Sequence, residues 1–152
     1  MTEIVNLLEL DLREHRDEGR RFHSRSVSRD HGAGKTGFSV YELAPGESAW
    51  PYHYELSEEE WLFVIAGEIV LRTPAGEATL RAGEVTCFPI GPEGAHQIRN
   101  ESQAAARFAM PSSRSEVYVA IRPDSNTAYV EGPGFFQIVP LDESLDYWDR
   151  EP

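Results

Sequence analysis

From residue 37 onward the apolar residues come in short clusters that alternate with polar ones or run unbroken for a few positions. Between 37 and 112 none of them recurs at the helical spacing of about 3.6 residues. This pattern predicts strands over 38–43, 61–66, 69–73, 78–81, 85–88, 97–99, 104–110, 117–121 and 135–139. Turn chemistry separates them: Ala44-Pro45-Gly46-Glu47, Gly67-Glu68 and Pro74-Ala75-Gly76-Glu77 put Pro and Gly where tight turns need them. Short strands every eight to twelve residues, punctuated in this way, imply an all-β sandwich or small barrel. In the run at 61–66, parity puts Glu60, Leu62 and Val64 on one face and Trp61, Phe63 and Ile65 on the other.

The chain reads as three segments: an N-terminal arm over 1–36, the β domain over 37–140 and a short tail over 141–152. The arm opens with an apolar patch of Ile4, Leu7, Leu8, Leu10 and Leu12, followed by a mixed-charge tract to Lys35. It is expected to lie solvated over the barrel or a neighbouring subunit, and Arg20, Arg21 or Arg25 are candidates for anion binding. The acidic tail carries Tyr147 and Trp148, expected to dock on the barrel or on a partner chain.

Composition narrows the function. At 152 residues the chain has the size of one domain with a single core. Its formal net charge is −12, with seven Lys/Arg against nineteen Asp/Glu after residue 35. A body this acidic repels phosphate backbones and lacks a basic membrane footprint, so neither nucleic acid nor membrane is an expected partner. Cys87 is the sole cysteine, so no intrachain disulfide forms, and it is expected to be a buried, inert thiol. With no signal-like start and no long apolar run, the expected location is the cytoplasm.

The chemistry concentrates in two stretches: His53, Glu55, Glu60 and Gly67, then Gly83, Pro89, Gly91, His96 and Asn100. In an extended segment His53 and Glu55 share a face. Imidazole plus carboxylate suits borderline or hard divalent metals, so His53, Glu55, Glu60 and His96 are the metal-ligand candidates. Asn100 most simply caps the turn that follows it, and Trp50 either walls a pocket mouth or packs in the core.

These two stretches resemble the two sequence motifs of the cupin superfamily. The first follows the pattern glycine, His-x-His, glutamate, glycine, except that Glu55 stands at the second histidine. The second follows glycine, Pro-x-Gly, histidine, asparagine, except that Pro92-Glu93-Gly94-Ala95 lengthens the spacer before His96. The resemblance covers roughly residues 37 to 112 and implies a cupin-type jelly-roll β-barrel. It further implies one divalent metal per chain (Zn, Fe, Mn or Ni), a small-molecule ligand or substrate and a homodimer, with the N-terminal patch and Trp148 as interface elements.

Four protein ligands on six-coordinate Mn, Fe or Ni would leave two positions open, whereas the same four would fill tetrahedral zinc. Glu55 has two readings, a fourth ligand or, off the metal, a catalytic general base. The functional classes that follow are a metalloenzyme of the dioxygenase or sugar and sugar-phosphate isomerase type, a non-catalytic binding or sensing module, and a metal-free structural barrel. A phosphate-bearing substrate calls for inward-facing cations, for which Arg72 and Arg99 are the nearby candidates.

Overall fold

The computed structural model describes residues 4–17 and 20–142, side chains of 17 and 20 excepted. Its strands are β1 (Arg13–Asp17), β2 (Arg20–Ser26), β3 (Thr36–Leu43), β4 (Tyr54–Glu55), β5 (Glu60–Ala66), β6 (Glu68–Thr73) and β7 (Gly76–Arg81). They continue with β8 (Val85–Phe88), β9 (Gln97–Arg99), β10 (Ala106–Ser113), β11 (Tyr118–Arg122), β12 (Thr127–Gly132) and β13 (Phe135–Pro140). A four-residue helix, α1 (Val27–Asp30), and a 3₁₀ turn at Pro92–Gly94 are the helical elements.

Among the described residues all pairing is antiparallel, in sheets ordered β1-β2-β3-β10-β5-β8, β13-β12-β11-β4 and β7-β6-β9. The architecture is all-β, as the spacing of strands and turns implied, and is consistent with the jelly roll that the cupin resemblance implied. The core forms where the inner face of the long sheet meets β6 and β9. Leu43, Leu62, Val64, Phe88, Phe108 and Met110 pack against Ile69, Leu71 and Ile98. Each such side chain contributes about 1.5–3 kcal/mol on full burial.

Strand β5 shows how the pattern sets the site. Leu62 and Val64 are buried while Trp61 and Phe63 are each 45 % exposed, so Glu60 shares the inward face. The same alternation corrects the reading of Cys87. It pairs with Trp61 across β5 and β8 and is exposed, because Phe88 takes the inward position beside it.

The N-terminal tract differs from a solvated arm. Residues 13–17 and 20–26 form a hairpin whose second strand extends the sheet at β3. Hydropathy could not show this, because the hairpin is held by backbone pairing, by His15 stacked on Phe22 and by Glu14 among Arg16 and Arg21. Charged edge strands of this kind resist pairing with other chains. The apolar patch turns inward: Leu10 is buried against Val40 and Ala109, with Val5, Leu7 and Leu12 beside it, whereas Ile4 and Leu8 are exposed. Arg107 fastens it, donating to the carbonyls of Leu7 and Leu8 while pairing with Glu42 at 2.8 Å.

Strand β12 also lies outside the expected set, although Thr127–Gly132 alternates and is bracketed by Asn126 and Pro133-Gly134. Asn100 is fully buried; its amide donates to the carbonyls of Leu43 and Ala104 and its oxygen accepts from Ser102, which is the turn cap expected of it. Tyr147 and Trp148 lie outside the described residues. No described helix is long and apolar enough to cross a membrane.

Candidate metal centre

His53 and His96 come from segments forty-three residues apart, yet each donates its backbone N–H to the other's carbonyl, at 3.1 and 2.8 Å. This single antiparallel bridge sets their rings 4.7 Å apart. Both imidazoles are anchored from behind: His53 Nδ1 lies 2.9 Å from the Pro51 carbonyl and His96 Nδ1 2.9 Å from that of Gly94. A carbonyl only accepts, so both Nδ1 atoms carry the proton and both Nε2 atoms face the interior, the orientation seen in metal-binding histidines. Phe88 stacks on the other face of His96 at 3.7 Å.

The long spacer before His96 has a local explanation. Residues Pro92–Gly94 make one 3₁₀ turn that brings the chain back under the ring. A Cβ on Gly94 would stand 1.9 Å from the Pro89 carbonyl oxygen, so only glycine fits. The Gly91 N–H donates to the Glu55 carbonyl at 2.8 Å, tying this loop to β4.

Ligand atoms of His53, Glu60 and His96 lie within 4.8 Å of one another. Glu55 stands beside this group rather than within it. Its Oε1 is 3.2 Å from His53 Nε2 and accepts a 2.6 Å hydrogen bond from the Tyr118 hydroxyl. Three buried atoms here lack a hydrogen-bond partner within the described protein: Glu55 Oε2, Glu60 Oε2 and His96 Nε2. Each such atom costs about 1–3 kcal/mol if left unsatisfied. Glu60 Oε2 and His96 Nε2 are 3.5 Å apart, and both present lone pairs, so a proton or a cation must reconcile them. A divalent metal fits this donor set.

The protonation tendencies agree. Burial holds His96 far down, near 3, with the charge of His53 adding to it, so its ring stays neutral. Burial pushes Glu60 up to about 7, helped by the charge of Glu55. For His53, burial is the largest influence and pulls downward, but the hydrogen bond and charge of Glu55, the charge of Glu60 and the Pro51 carbonyl together carry it above its ordinary value. Tyr118 is raised well beyond the usual phenol by burial and the neighbouring Glu55, so it remains a donor.

A cavity of about 190 Å³ opens at His53, lined by Trp50, Pro51, Tyr118, Ala120, Arg122 and Tyr129. Trp50 lines this cavity and also packs against Phe22 and Tyr41. Tyr118, Arg122 and Tyr129 escaped the sequence reading. Alternation places 118, 120 and 122 on one face of β11, and the pairing of Ala120 with Glu55 brings that strand to the site. The arginines singled out for phosphate are engaged elsewhere: Arg72 pairs with Asp124 and lies over Tyr52, and Arg99 pairs with Glu77 and Glu101.

Residues 39–111 match the cupin domain family. The fold matches a sugar phosphate isomerase of the cupin superfamily from Silicibacter pomeroyi at a TM-score of 0.83 and 24% identity, covering 95% of this chain and 98% of that one. A protein from Acidithiobacillus ferrooxidans, provisionally named a sugar phosphate isomerase, matches at 0.82 and 19% identity, covering 91% and 90% of the two chains. The polyketide cyclase RemF from Streptomyces resistomycificus matches at 0.61 and 21% identity over 74% and 80%. At these identities the likeness establishes the fold. No curated protein matches the sequence.

Proposed function

The chain belongs to the cupin superfamily, and we propose that it is a metal-dependent isomerase of small hydroxy-carbonyl compounds. The observation that carries this reading is the pairing of two unlike groups in one buried site. Glu60 Oε2 and His96 Nε2, both orphaned, suit a divalent metal together with His53, and the Glu55 carboxylate held by Tyr118 stands next to them. The names given to the proteins from Silicibacter pomeroyi and Acidithiobacillus ferrooxidans point to the same chemical class.

In this reading His53, Glu60 and His96 hold the metal, and Glu55 stays off it as general base. A metal so bound would polarise a carbonyl and so acidify the hydrogen on the adjacent carbon. Glu55 Oε2 lacks a hydrogen-bond partner and is free to take that proton, while Tyr118 fixes Glu55 through Oε1. Trp50, Pro51 and Ala120 wall the cavity against water, and Arg122 stands there to receive a substrate oxygen. Iron, manganese, nickel and zinc all suit two imidazoles and a carboxylate.

The decisive experiment follows hydrogen exchange. Wild type and Glu55→Gln, each analysed for metal, would be incubated with a panel of hydroxy-aldehydes in deuterated water. Deuterium entering beside the carbonyl with wild type alone, at equal metal content, is the expected result. Metal-loaded wild type that exchanges nothing would leave a non-catalytic binding cupin.

The reading includes a homodimer. With the N-terminal patch turned inward, the exposed Trp61, Phe63 and Val85 on the outer face of β5 and β8 are its proposed contact. Phe63→Glu should then halve the sedimenting mass.

A further inference from the structure

One side chain in the cavity beside the metal centre holds neither the metal nor the general base. Arg122 lines that cavity together with His53, Trp50, Tyr118, Ala120 and Tyr129. Its place follows from register. Ala120 pairs with Glu55 and Ile121 with Tyr54, so one further step of the same antiparallel register sets Arg122 opposite His53. Opposed residues of such a pair turn their side chains to the same face. On its other side Ala120 pairs with Tyr129. The small Ala120 side chain, between Tyr129 and Glu55, leaves the hollow that its larger neighbours wall.

The Arg122 guanidinium makes no ion pair and no hydrogen bond among the described residues. It lies over the Tyr129 ring, 5.5 Å from the centroid, a cation–π distance that steadies it and leaves its N–H donors open. Asp124, two residues on, is bidentate to Arg72. Glu131 accepts from the Tyr129 hydroxyl at the far end of β12 from Thr127, which pairs with Arg122. Other arginines are balanced. The larger cavity of about 530 Å³ beside the N-terminal hairpin sets four arginines against four carboxylates and so selects no charge. Of the anion-binding candidates from the sequence, Arg21 is beside Glu14, Arg25 is paired with Asp30, and Arg20 lies outside the described side chains.

With a divalent cation at His53, Glu60 and His96, the carboxylates of Glu55 and Glu60 offset its two charges. Arg122 then leaves the cavity one positive charge in excess, which suits a monoanion. The guanidinium fork matches a carboxylate in shape as well as charge. Room is short: about 190 Å³ is the bulk volume of roughly six water molecules, enough for a ligand of a few carbons.

We infer that Arg122 receives the carboxylate of a short hydroxy-oxo acid, so that the substrate of this site is a monocarboxylate of a few carbons. Trp50 and Tyr129 cover its carbon chain. The inference rests on the isomerase reading of the metal centre and adds the substrate class to it. Glu55 moves a proton from the hydroxyl-bearing carbon to the neighbouring carbonyl carbon, and the hydroxyl proton passes to the former carbonyl oxygen. No oxidant or reductant is consumed.

The test is calorimetric titration of the full chain, analysed for metal, with three probes of one carbon skeleton. Hydroxypyruvate carries the carboxylate, dihydroxyacetone a hydroxymethyl group in its place, and dihydroxyacetone phosphate a dianion. Hydroxypyruvate should bind about tenfold more tightly than either of the others. In Arg122→Gln that preference should vanish with metal content unchanged, whereas Arg122→Lys, which keeps the charge without the fork, should retain part of it. The guanidinium rests on a ring and ties no other strand down, so both variants keep the core intact. A preference that survives in Arg122→Gln would assign the carboxylate to the metal alone and overturn the inference. Equal binding of hydroxypyruvate and dihydroxyacetone, or tighter binding of the phosphate, would do the same. Deuterium uptake from deuterated water separates this from the isomerase reading. Hydroxypyruvate that binds through Arg122 but exchanges no faster than without protein would uphold the carboxylate site and remove the isomerase. Dihydroxyacetone that exchanges as fast as hydroxypyruvate, in wild type and Arg122→Gln alike, would do the reverse.

Discussion

His53 and His96 face each other across one isolated backbone bridge, each donating its N–H to the other's carbonyl. That bridge lies outside every named strand, yet it sets the geometry of the centre. It aligns two rings whose Nδ1–H groups are already spent on Pro51 and Gly94, leaving His53 Nε2 beside Glu55 and His96 Nε2 beside Glu60.

Substitutions at this centre should therefore separate by residue. His53→Ala, His96→Ala and Glu60→Gln should each lower metal affinity by about tenfold or more, since even outer partners of metal ligands are worth about 10–100-fold. Glu58→Gln should leave it unchanged, because Glu58 points at Ser115 and not at the histidines. Elemental analysis of protein purified without chelator decides this. Equal metal content in the Glu58 and Glu60 variants would refute the assignment.

Metal affinity should fall as pH falls. In metal-free protein Glu60 holds its proton up to about 7, and that proton must leave before the carboxylate can bind a cation. Below that pH, one displaced proton weakens binding by about tenfold per unit. His53, also raised, adds a second proton toward acid, whereas His96, held near 3, adds none in this range. Dissociation constants measured between about pH 6 and 8 should show this slope, reduced by one proton in Glu60→Gln. An affinity independent of pH would count against the site.

Tyr118→Phe should keep its metal and lose catalysis. The hydroxyl makes a 2.6 Å bond to Glu55, which lies outside the His53, Glu60 and His96 group. Releasing Glu55 from its fixed position should cut kcat by about 100-fold, the scale of one general acid–base contribution. The stability cost should be modest, about 1 kcal/mol for one hydrogen bond. Steady-state kinetics with metal analysis on the same samples would check both parts.

Gly94→Ala should destabilise the fold more than a surface change. Its methyl would meet the backbone oxygen of Pro89, which cannot rotate away as a side chain could. About 3 kcal/mol is expected, or a fall of roughly 10 °C in Tm, measured by thermal unfolding without metal. Because the Gly94 carbonyl also anchors His96, metal affinity should drop as well.

Much of the fold could be read from the chain because strand parity is local. Alternation grouped Glu60, Leu62 and Val64 on one face of β5 before any partner strand was known, and burial makes that face the inward one. The same rule, applied to Val85–Phe88, would have turned Cys87 outward had Phe88 been recognised as the core residue. The hairpin at 13–26 escaped because its stability is in backbone pairing with β3, and charged side chains hide such pairing from hydropathy.

The sequence by itself determined the all-β class, the turn positions and the residue types from which a metal centre can be built, since each follows from period, punctuation and side-chain chemistry. Tertiary structure alone decided which of those residues meet. The His53–His96 bridge joins distant segments, and the β4–β11 register brings Tyr118 onto Glu55. The packing of the N-terminal hairpin on β3 forms an open cavity lined by residues scattered from Arg13 to Gly132. Such convergence depends on registers between remote strands, and no local pattern encodes a register to a strand it does not adjoin.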